Sequence, residues 1–261
     1  MSADVNEGVG PMDSRSRGNQ DSPEPVGVPR AGAVSKQSLQ AAGELPVTAW
    51  LCAECLASTQ TQGAAITVLS SPRERELMFA TDALAQFLDE IQFTSGNGPC
   101  VDAFVSETPT YCADTASAEA DVAWPGFAAE AHSAGAGGVY AFPLRGGSDI
   151  FGVLELYRVE ASRLTPEQIE SAQSSARAIS AAVLGELSGF LEPGDRAMPQ
   201  AYHHPEVNQA VGMIAVQLRV PIPEALAALR AAAYAAEMPV WKVAHAVVTR
   251  GLRFDDKGGH W

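Results

Sequence analysis

Four cysteines are the side chains in this sequence best suited to redox chemistry or metal binding. Cys52 and Cys55 have the C-x-x-C spacing of many zinc and redox sites, whereas Cys100 and Cys112 are twelve residues apart. A structural zinc site needs a second, matching pair of ligands, and this spacing does not provide one. Because Cys52 and Cys55 also share the apolar face of a predicted helix, we expect buried core cysteines and no metal site.

The histidines do not form a ligand set either. His132 is the single histidine between residues 45 and 190, and it lies beside Glu130 on the face of a predicted helix. We therefore expect a solvated side chain and not a haem ligand. His203 and His204 follow in a predicted linker without ligand spacing. We expect no cofactor.

Basic side chains near the C-terminus are candidates for binding an anion. The formal net charge is −14, but residues 201–261 hold six Lys and Arg against five Asp and Glu, which leaves −15 for residues 1–200. This acidity argues against a protein that binds polyanions over its whole surface. Guanidinium groups bind phosphates and base edges through two parallel hydrogen bonds. The cationic candidates are Arg219, Arg230, Lys242 and Arg250.

The stretch NQAVGMIAVQL, residues 208–218, is a predicted helix with a glycine in its middle. Glycine costs a helix interior roughly 0.5–1 kcal/mol relative to alanine. Ala210, Gly212 and Ala215 form a patch of small residues that would let another backbone approach closely. Two interpretations stay open at this stage, namely tight packing between helices and contact with a nucleic acid.

Composition indicates a globular protein with a disordered N-terminal leader. The chain has 261 residues, of which 46% are hydrophobic and 18% charged. Residues 1–44 are rich in Gly, Pro, Ser and Asp and show no apolar periodicity. They contain no apolar segment of a signal peptide, and no run in the chain approaches the ~18 apolar residues of a membrane span. We expect a cytoplasmic protein that does not associate with a membrane.

Residues 45–190 have the pattern of an α+β domain, in which helices flank an antiparallel sheet. Two hairpins provide strands, and a long helix at 164–187 ends the domain. The other predicted elements are a helix at 47–60, strands at 64–70 and 77–81, a helix at 82–93, a tight turn at 96–100, a short helix at 101–107, a short strand at 109–114, a helix at 124–137, and strands at 139–145 and 150–158.

The long helix carries a narrow apolar seam. Such a seam either pairs with the same helix of a second chain or covers the sheet of its own domain. Its residues are Ile169, Ala172, Ala176, Ile179 and Val183.

A predicted linker at 191–204 separates this domain from a small all-α domain at 205–254, and residues 255–261 form a tail. Three apolar stripes predict helices at 206–219, 223–237 and 239–252. The second and third begin with Pro223 and Pro239, which favour the first turn of a helix. A bundle of this size is too small to be an obvious enzyme.

Residues 206–252 resemble the ANTAR domain, a three-helix RNA-binding module of bacterial antiterminators. The resemblance lies in A-x-G at Ala210–Gly212, E-A-x-x-x-L-R at Glu224–Arg230 and V-A-x-x-V-V at Val243–Val248. It implies that paired domains bind small RNA stem-loops and favour an antiterminator over a terminator hairpin. With the resemblance, Ala210, Gly212 and the four basic candidates become the expected RNA-binding residues. Val211 departs from the lysine that family members often carry there, which removes one cation.

Residues 47–190 resemble the GAF domains that precede ANTAR in actinobacterial regulators. The motifs are DEIQFTSGNGPCVDA at Asp89–Ala103, W-P-x-F at Trp124–Phe127, and the hairpin of Phe142–Arg158. The resemblance implies a sensor with a pocket between its sheet and the helices of residues 82–135. The cyclic-nucleotide signature N-K-F-D-E is absent, so the signal is unknown. Plausible pocket residues are Phe87, Phe93, Trp124, Phe127 and Tyr140.

An enzymatic alternative comes from one GAF family that reduces free methionine sulfoxide. Gly96–Cys100 resembles its G-x-G-x-C element. However, Pro125–Ala129, which matches the stretch before that family's nucleophile, is not followed by a cysteine. We therefore expect no enzyme.

Together the two resemblances imply a homodimeric GAF and ANTAR regulator, in which a sensed signal controls RNA binding and transcription antitermination. The alternative is a signalling or interaction module whose C-terminal bundle does not bind RNA.

Overall fold

The computed structural model describes residues 42–72, 74–191, 205–236, 238, 240–255 and 258–260. The predicted disordered leader, up to residue 41, and the predicted linker from residue 192 lie outside this range. The predicted tail is described only in part.

Within the described residues, the N-terminal part has the predicted α+β order. Its helices are α1 (Pro46–Thr59), α2 (Ala83–Ser95), α3 (Pro99–Ser106), α4 (Ala118–Ala123), α5 (Phe127–Ser133) and α6 (Pro166–Leu191). Its strands are β1 (Gly63–Ser71), β2 (Glu74–Ala80), β3 (Thr110–Cys112), β4 (Gly138–Gly146) and β5 (Asp149–Arg158). The helix predicted at 124–137 is shorter in the structure, where α5 spans Phe127–Ser133, and α4 (Ala118–Ala123) precedes it as an element that was not predicted.

The five strands form one antiparallel sheet in the order β2-β1-β5-β4-β3. Glu155 on the central strand β5 lies opposite Ala65 of β1 and Ala141 of β4. Ala141 and Val153 pack against Cys100 and Ala103 of α3. Because side chains alternate between the two faces of a strand, Glu155 also points towards the α2 and α3 side.

The opposite face of the sheet is covered by α6. Ala172, Ala176, Ile179 and Val183 of this helix are buried in the sensor core. The apolar seam therefore covers the sheet of its own domain, and it is not free to pair with a second chain.

Helix α2 begins and ends at two well-defined caps. The Asp82 side chain accepts hydrogen bonds of 2.9 Å from the backbone N–H groups of Leu84 and Ala85. At the other end, Gly96 adopts a left-handed conformation with φ of +74°, which glycine adopts without steric cost. These caps extend the helix beyond the predicted residue 93.

The C-terminal part is a three-helix bundle, formed by α7 (Pro205–Leu218), α8 (Ile222–Ala235) and α9 (Val240–Val248). It has a hydrophobic core of its own, to which Val211, Ile214, Leu229 and Val243 contribute. The predicted apolar stripes are thus confirmed.

The end of the bundle differs from the prediction. Helix α9 ends at Val248, before the predicted residue 252, and Arg250 has a left-handed φ of +63°. A short hairpin follows, formed by β6 (Arg253–Asp255) and β7 (Gly258–His260). Phe254 is buried in the bundle core, and its N–H donates to Gln217 Oε1 over 2.8 Å.

In the described part of the chain, no single helix is long and apolar enough to cross a membrane, although Gln209–Leu218 and Ile222–Ala235, bent by 104°, meet this test as a pair.

The N-terminus of α1 is bound to α6 through Glu186. Its carboxylate accepts hydrogen bonds from Val47 N (2.7 Å), Thr48 N (3.2 Å) and Thr48 Oγ1 (2.5 Å). A carboxylate at this place satisfies N–H groups that have no partner within the helix and complements the helix dipole.

We expect Glu186→Ala to lower the free energy of unfolding by about 1–2 kcal/mol, because a capping interaction of this kind contributes that much. Urea denaturation followed by circular dichroism measures the loss. Glu170→Ala, at an exposed position of the same helix, is the matched control and should change stability little. An equal effect of the two substitutions would contradict the capping role.

Candidate functional site

Six polar side chains meet in the interior between the sheet and helices α2 and α3. We call them the buried polar cluster. They are Thr67 of β1, Arg75 of β2, Asp89 and Gln92 of α2, Cys100 of α3 and Glu155 of β5.

An ion pair between Arg75 and Asp89 forms one half of the cluster. The Arg75 side chain is only 2% exposed. Thr67 Oγ1 donates to Asp89 Oδ1 over 2.6 Å. Burial is the largest effect and opposes the charge of Arg75, but Asp89, Cys100 and Glu155 together hold the pKa of Arg75 above its ordinary value. Nε and Nη1 of Arg75 are buried without a hydrogen-bond partner.

Gln92 connects the other half of the cluster. Its Nε2 donates to Glu155 Oε2 over 2.6 Å, and its Oε1 accepts from Cys100 N over 2.8 Å. Gly98 is needed beside it, because a Cβ at that position would collide with the Gln92 side chain. The glycine-containing turn at 96–100 thus allows α3 to begin directly against α2.

Glu155 and Cys100 both favour their uncharged forms. Burial raises the pKa of Glu155 to about 7, with Asp89 adding to the effect and the Gln92 hydrogen bond and Arg75 opposing it. Glu155 Oε1 is buried without a hydrogen-bond partner. Burial also raises the pKa of the Cys100 thiol, although Arg75 Nη2 lies 3.9 Å from its sulfur. A thiol in this state is a poor nucleophile.

This arrangement can respond to a proton, and it leaves buried polar atoms of Arg75 and Glu155 without partners. Buried polar atoms in proteins normally have hydrogen-bond partners. A molecule that offers an acceptor to Arg75 and a donor to Glu155 would satisfy the unpartnered atoms on both sides of the cluster.

The aromatic residues expected to line a pocket fall into three environments. Trp124 and Phe127 are buried in the sensor core, and Phe87 packs against it. Phe93 packs against the C-terminal bundle instead, so the expectation for this residue is wrong. Tyr140 lies opposite Leu156 in the sheet and therefore on the α6 face, where its hydroxyl donates to Ser162 O, so it is also misassigned.

A cavity on the α6 side of the sheet was not predicted. It has a volume of about 560 Å³ and lies between β4 and α6. Arg145, Arg177 and Glu107 are among the residues that line it. Arg145 and Glu107 form an ion pair, in which Nη1 lies 3.7 Å from Oε2. These charged side chains are exposed, so the cavity is an open groove.

The expected burial of Cys52 and Cys55 and the expected exposure of His132 are confirmed. Cys52 and Cys55 are fully buried, and burial raises the pKa of both thiols. Cys112 is likewise buried and free, while His132 is exposed. Within the described residues, no group of three or more His, Cys, Asp and Glu side chains is arranged to hold a metal ion.

The small residues of α7 point in different directions. Ala210 is fully buried in the bundle core, so the expectation that it belongs to an open face is wrong. Val211 is 6% exposed and also belongs to this core. Gly212 fits the expectation, because a Cβ built on it would have no other atom within 4 Å.

The four basic candidates occupy two kinds of environment. Arg219 and Arg250 are exposed just after the ends of α7 and α9, each with a left-handed backbone conformation. Arg230 and Lys242 are half-buried. The guanidinium carbon of Arg230 lies 4.9 Å from the centroid of the Phe93 ring in the sensor, and Lys242 Nζ lies 5.5 Å from the ring centroid of Trp241. RNA contact by these residues stays a prediction.

The buried polar cluster was missed by the sequence reasoning. Arg75 lies between the strands predicted at 64–70 and 77–81, but in the structure it belongs to β2 opposite Leu69. Glu155 interrupts an otherwise apolar strand at an inward-facing position. A charged residue at such a position is the signal that would have indicated a buried polar site.

A family model described as GAF domain matches residues 34–183, which is more than half of the chain. No protein with a curated description matches the chain. Similar solved structures include the second GAF domain of DevS from Mycobacterium smegmatis, which is 18% identical in sequence. The match covers 57% of this chain and 99% of that chain, and its TM-score is 0.40. The GAF domain/HD domain protein from Geobacter sulfurreducens has 14% identity, coverages of 57% and 98%, and a TM-score of 0.41.

Type II free methionine-R-sulfoxide reductase from Thermoplasma acidophilum has 12% identity, coverages of 56% and 96%, and a TM-score of 0.40. Similarity to solved structures at this level does not indicate a function for this chain.

We expect Glu155→Gln to stabilise the protein at pH 8 but not at pH 5. The folded state keeps the proton of Glu155 up to about pH 7, whereas an exposed glutamate releases it near 4.5. The stabilising contribution of wild-type Glu155 to the free energy of unfolding is therefore full below pH 4.5 and is lost as the pH rises through 7. The glutamine side chain of the variant does not ionise, so the variant does not suffer this loss of stability, which is on the order of 3 kcal/mol at most.

Urea denaturation of both proteins at pH 5 and pH 8 measures the difference. Glu119→Gln on the exposed surface of α4 is the control and should show the same small change at both pH values. A stability difference for Glu155→Gln that does not grow with pH would contradict the assignment of a buried, protonated carboxyl group.

Proposed function

Since the chain belongs to the GAF domain family, whose members are general signalling and ligand-sensing modules, we propose that its sensor part controls RNA binding by the C-terminal bundle. The protein then acts as a regulator of transcription by antitermination. The sensor responds to a small polar signal at the buried polar cluster.

The observation that carries this proposal is the independent core of the C-terminal bundle. Helices α7, α8 and α9 pack around their own apolar residues, and they coincide with the segment that resembles an ANTAR domain. The bundle contributes no residue to the buried polar cluster. A separate module of this kind is suited to carry the output while the sensor receives the signal.

The surface of the bundle provides suitable chemistry for RNA. Arg219 and Arg250 are exposed guanidinium groups that can bind phosphates or base edges. Gly212 leaves the surface of α7 open for a close backbone approach. RNA loops are recognised through unstacked bases, phosphates and 2′-hydroxyls, which such a surface can reach.

The proposal includes a homodimer, because the ANTAR resemblance implies that two domains bind paired stem-loops. It does not include an enzymatic activity. The Cys100 thiol is buried and its pKa is raised, and Pro125–Ala129 is not followed by a cysteine. A nucleophile for sulfoxide reduction is therefore missing from both places.

The second candidate is a signalling module without RNA binding. Two observations favour it, namely that the position of the family's lysine is occupied by the buried Val211 and that Arg230 contacts the sensor. Direct RNA binding decides between the two candidates.

We expect the full chain to bind an RNA with two neighbouring short-loop stem-loops more tightly than an unstructured RNA of equal length. Arg219→Ala should weaken the binding about tenfold and reduce the salt slope by about one, because one phosphate contact is lost. A gel-shift titration at several salt concentrations measures both effects. Arg163→Ala, an exposed arginine of the sensor, is the matched control.

Weak and non-selective binding by the wild type at physiological salt would exclude the antitermination proposal and favour the second candidate. Equal effects of Arg219→Ala and Arg163→Ala would exclude the bundle surface as the RNA site.

A further inference from the structure

Helix α2 has one face in the sensor and another against the bundle. Asp89 and Gln92 point into the buried polar cluster. The adjacent residues Glu90 and Phe93 lie against α8 and α9 of the bundle. One rigid helix therefore contacts both the candidate sensing element and the candidate output module.

Arg230 of α8 lies at the C-terminal end of α2. Its guanidinium carbon is 4.9 Å from the centroid of the Phe93 ring, which is the geometry of a cation–π contact. An ideal Cβ on Gly96 would lie 3.1 Å from Arg230 Nη1, so the guanidinium packs closely against this helix cap. The negative end of the helix dipole favours a cation at this place.

Glu90 forms the second contact of the interface. The Trp241 side chain is hydrogen-bonded to its carboxylate, and the Lys242 ammonium group attracts it. Glu90 Oε1, however, is buried without a hydrogen-bond partner. Burial raises the pKa of Glu90 to about 7, with Asp89 adding to the effect and Lys242 and Trp241 opposing it. Burial, the largest of these effects, therefore opposes the ionised form of Glu90 in the docked structure, whereas Lys242 and Trp241 favour it.

We propose that helix α2 and RNA compete for the same face of the bundle. While α2 is docked, Arg230 packs on Phe93 and Gly96 and Lys242 faces Glu90, so both cations are withheld from RNA. A bundle that leaves α2 presents both cations to solvent, in addition to the exposed Arg219 and Arg250. This inference rests on the proposed function, since it assigns the regulation of the same RNA-binding surface.

The buried polar cluster supplies the coupling to a signal. Asp89 and Gln92 hold α2 in place from the sensor side through Arg75, Glu155 and Cys100. A ligand that takes over Arg75 or Glu155 competes with these α2 contacts. A shift of α2 then alters Glu90 and Phe93 on its other face, because both faces belong to the same helix.

Two substitutions test the competition in opposite directions. Phe93→Ala removes the ring under Arg230, and we expect it to raise the RNA affinity of the full chain at least threefold at pH 8. Glu90→Gln keeps a hydrogen-bond acceptor for Trp241 but removes the buried charge, and we expect it to lower RNA affinity by a similar factor at the same pH. Val122→Ala and Glu119→Gln, both at exposed positions of α4, are the matched controls.

Amide hydrogen exchange of Ile222–Ala235 without RNA reports on docking independently. Phe93→Ala should speed exchange in this helix and Glu90→Gln should slow it, while circular dichroism and thermal unfolding show whether each variant stays folded. Opposite changes in exchange together with opposite changes in RNA affinity would support the competition.

The remaining outcomes separate the two proposals. If exchange changes as expected and all variants bind RNA like the wild type, the competition is wrong while the proposed function stands. If Phe93→Ala and Glu90→Gln leave exchange in α8 unchanged, the docked interface is wrong. If no protein binds RNA selectively, the proposed function fails and the competition fails with it.

Discussion

The buried ion pair between Arg75 and Asp89 fixes the position of helix α2 on the sheet. Removing either partner would leave an uncompensated charge in the interior, which is far costlier than losing a surface pair. Thr67 also binds Asp89, while Gln92 of the same helix reaches Glu155 and Cys100. The helix is thus held by directional polar contacts. Such contacts define one position more narrowly than apolar packing does, and the bundle docks on a helix that is positioned in this way.

This arrangement lowers the stability of the sensor, because several buried polar atoms lack hydrogen-bond partners. Arg75 Nε, Arg75 Nη1 and Glu155 Oε1 are buried without hydrogen bonds. Partly satisfied polar networks are less stable than fully satisfied ones. Sites that must respond to a signal often have this character, because a second arrangement then lies close in free energy. The apolar core of the sensor contains residues of the sheet, α1 and α6, and also Leu84, Leu88 and Ile91 of α2.

Elements with a strong period could be predicted from the sequence, and the details that depend on the neighbours of a residue could not. The two hairpins, α2, α6 and the three helices of the bundle follow from apolar spacing and cap residues, and their bounds differ by a few residues at most helix ends. The face on which Tyr140 lies depends on strand register, which no local pattern specifies. The burial of Arg75 depends on a partner in α2, and the burial of Phe254 depends on Gln217 and the bundle core.

Gly212 occupies the middle of α7 although no neighbouring atom prevents a larger side chain. The position is therefore separable from the folding of the bundle, in contrast to Ala210 and Val211 on the buried side of the same turn. A set of substitutions at this single site would vary the charge, size and polarity of the surface while the core stays constant. The glycine gives the bundle a place where surface chemistry can be changed without repacking, and a larger residue other than proline there also recovers part of the helical stability that glycine forgoes.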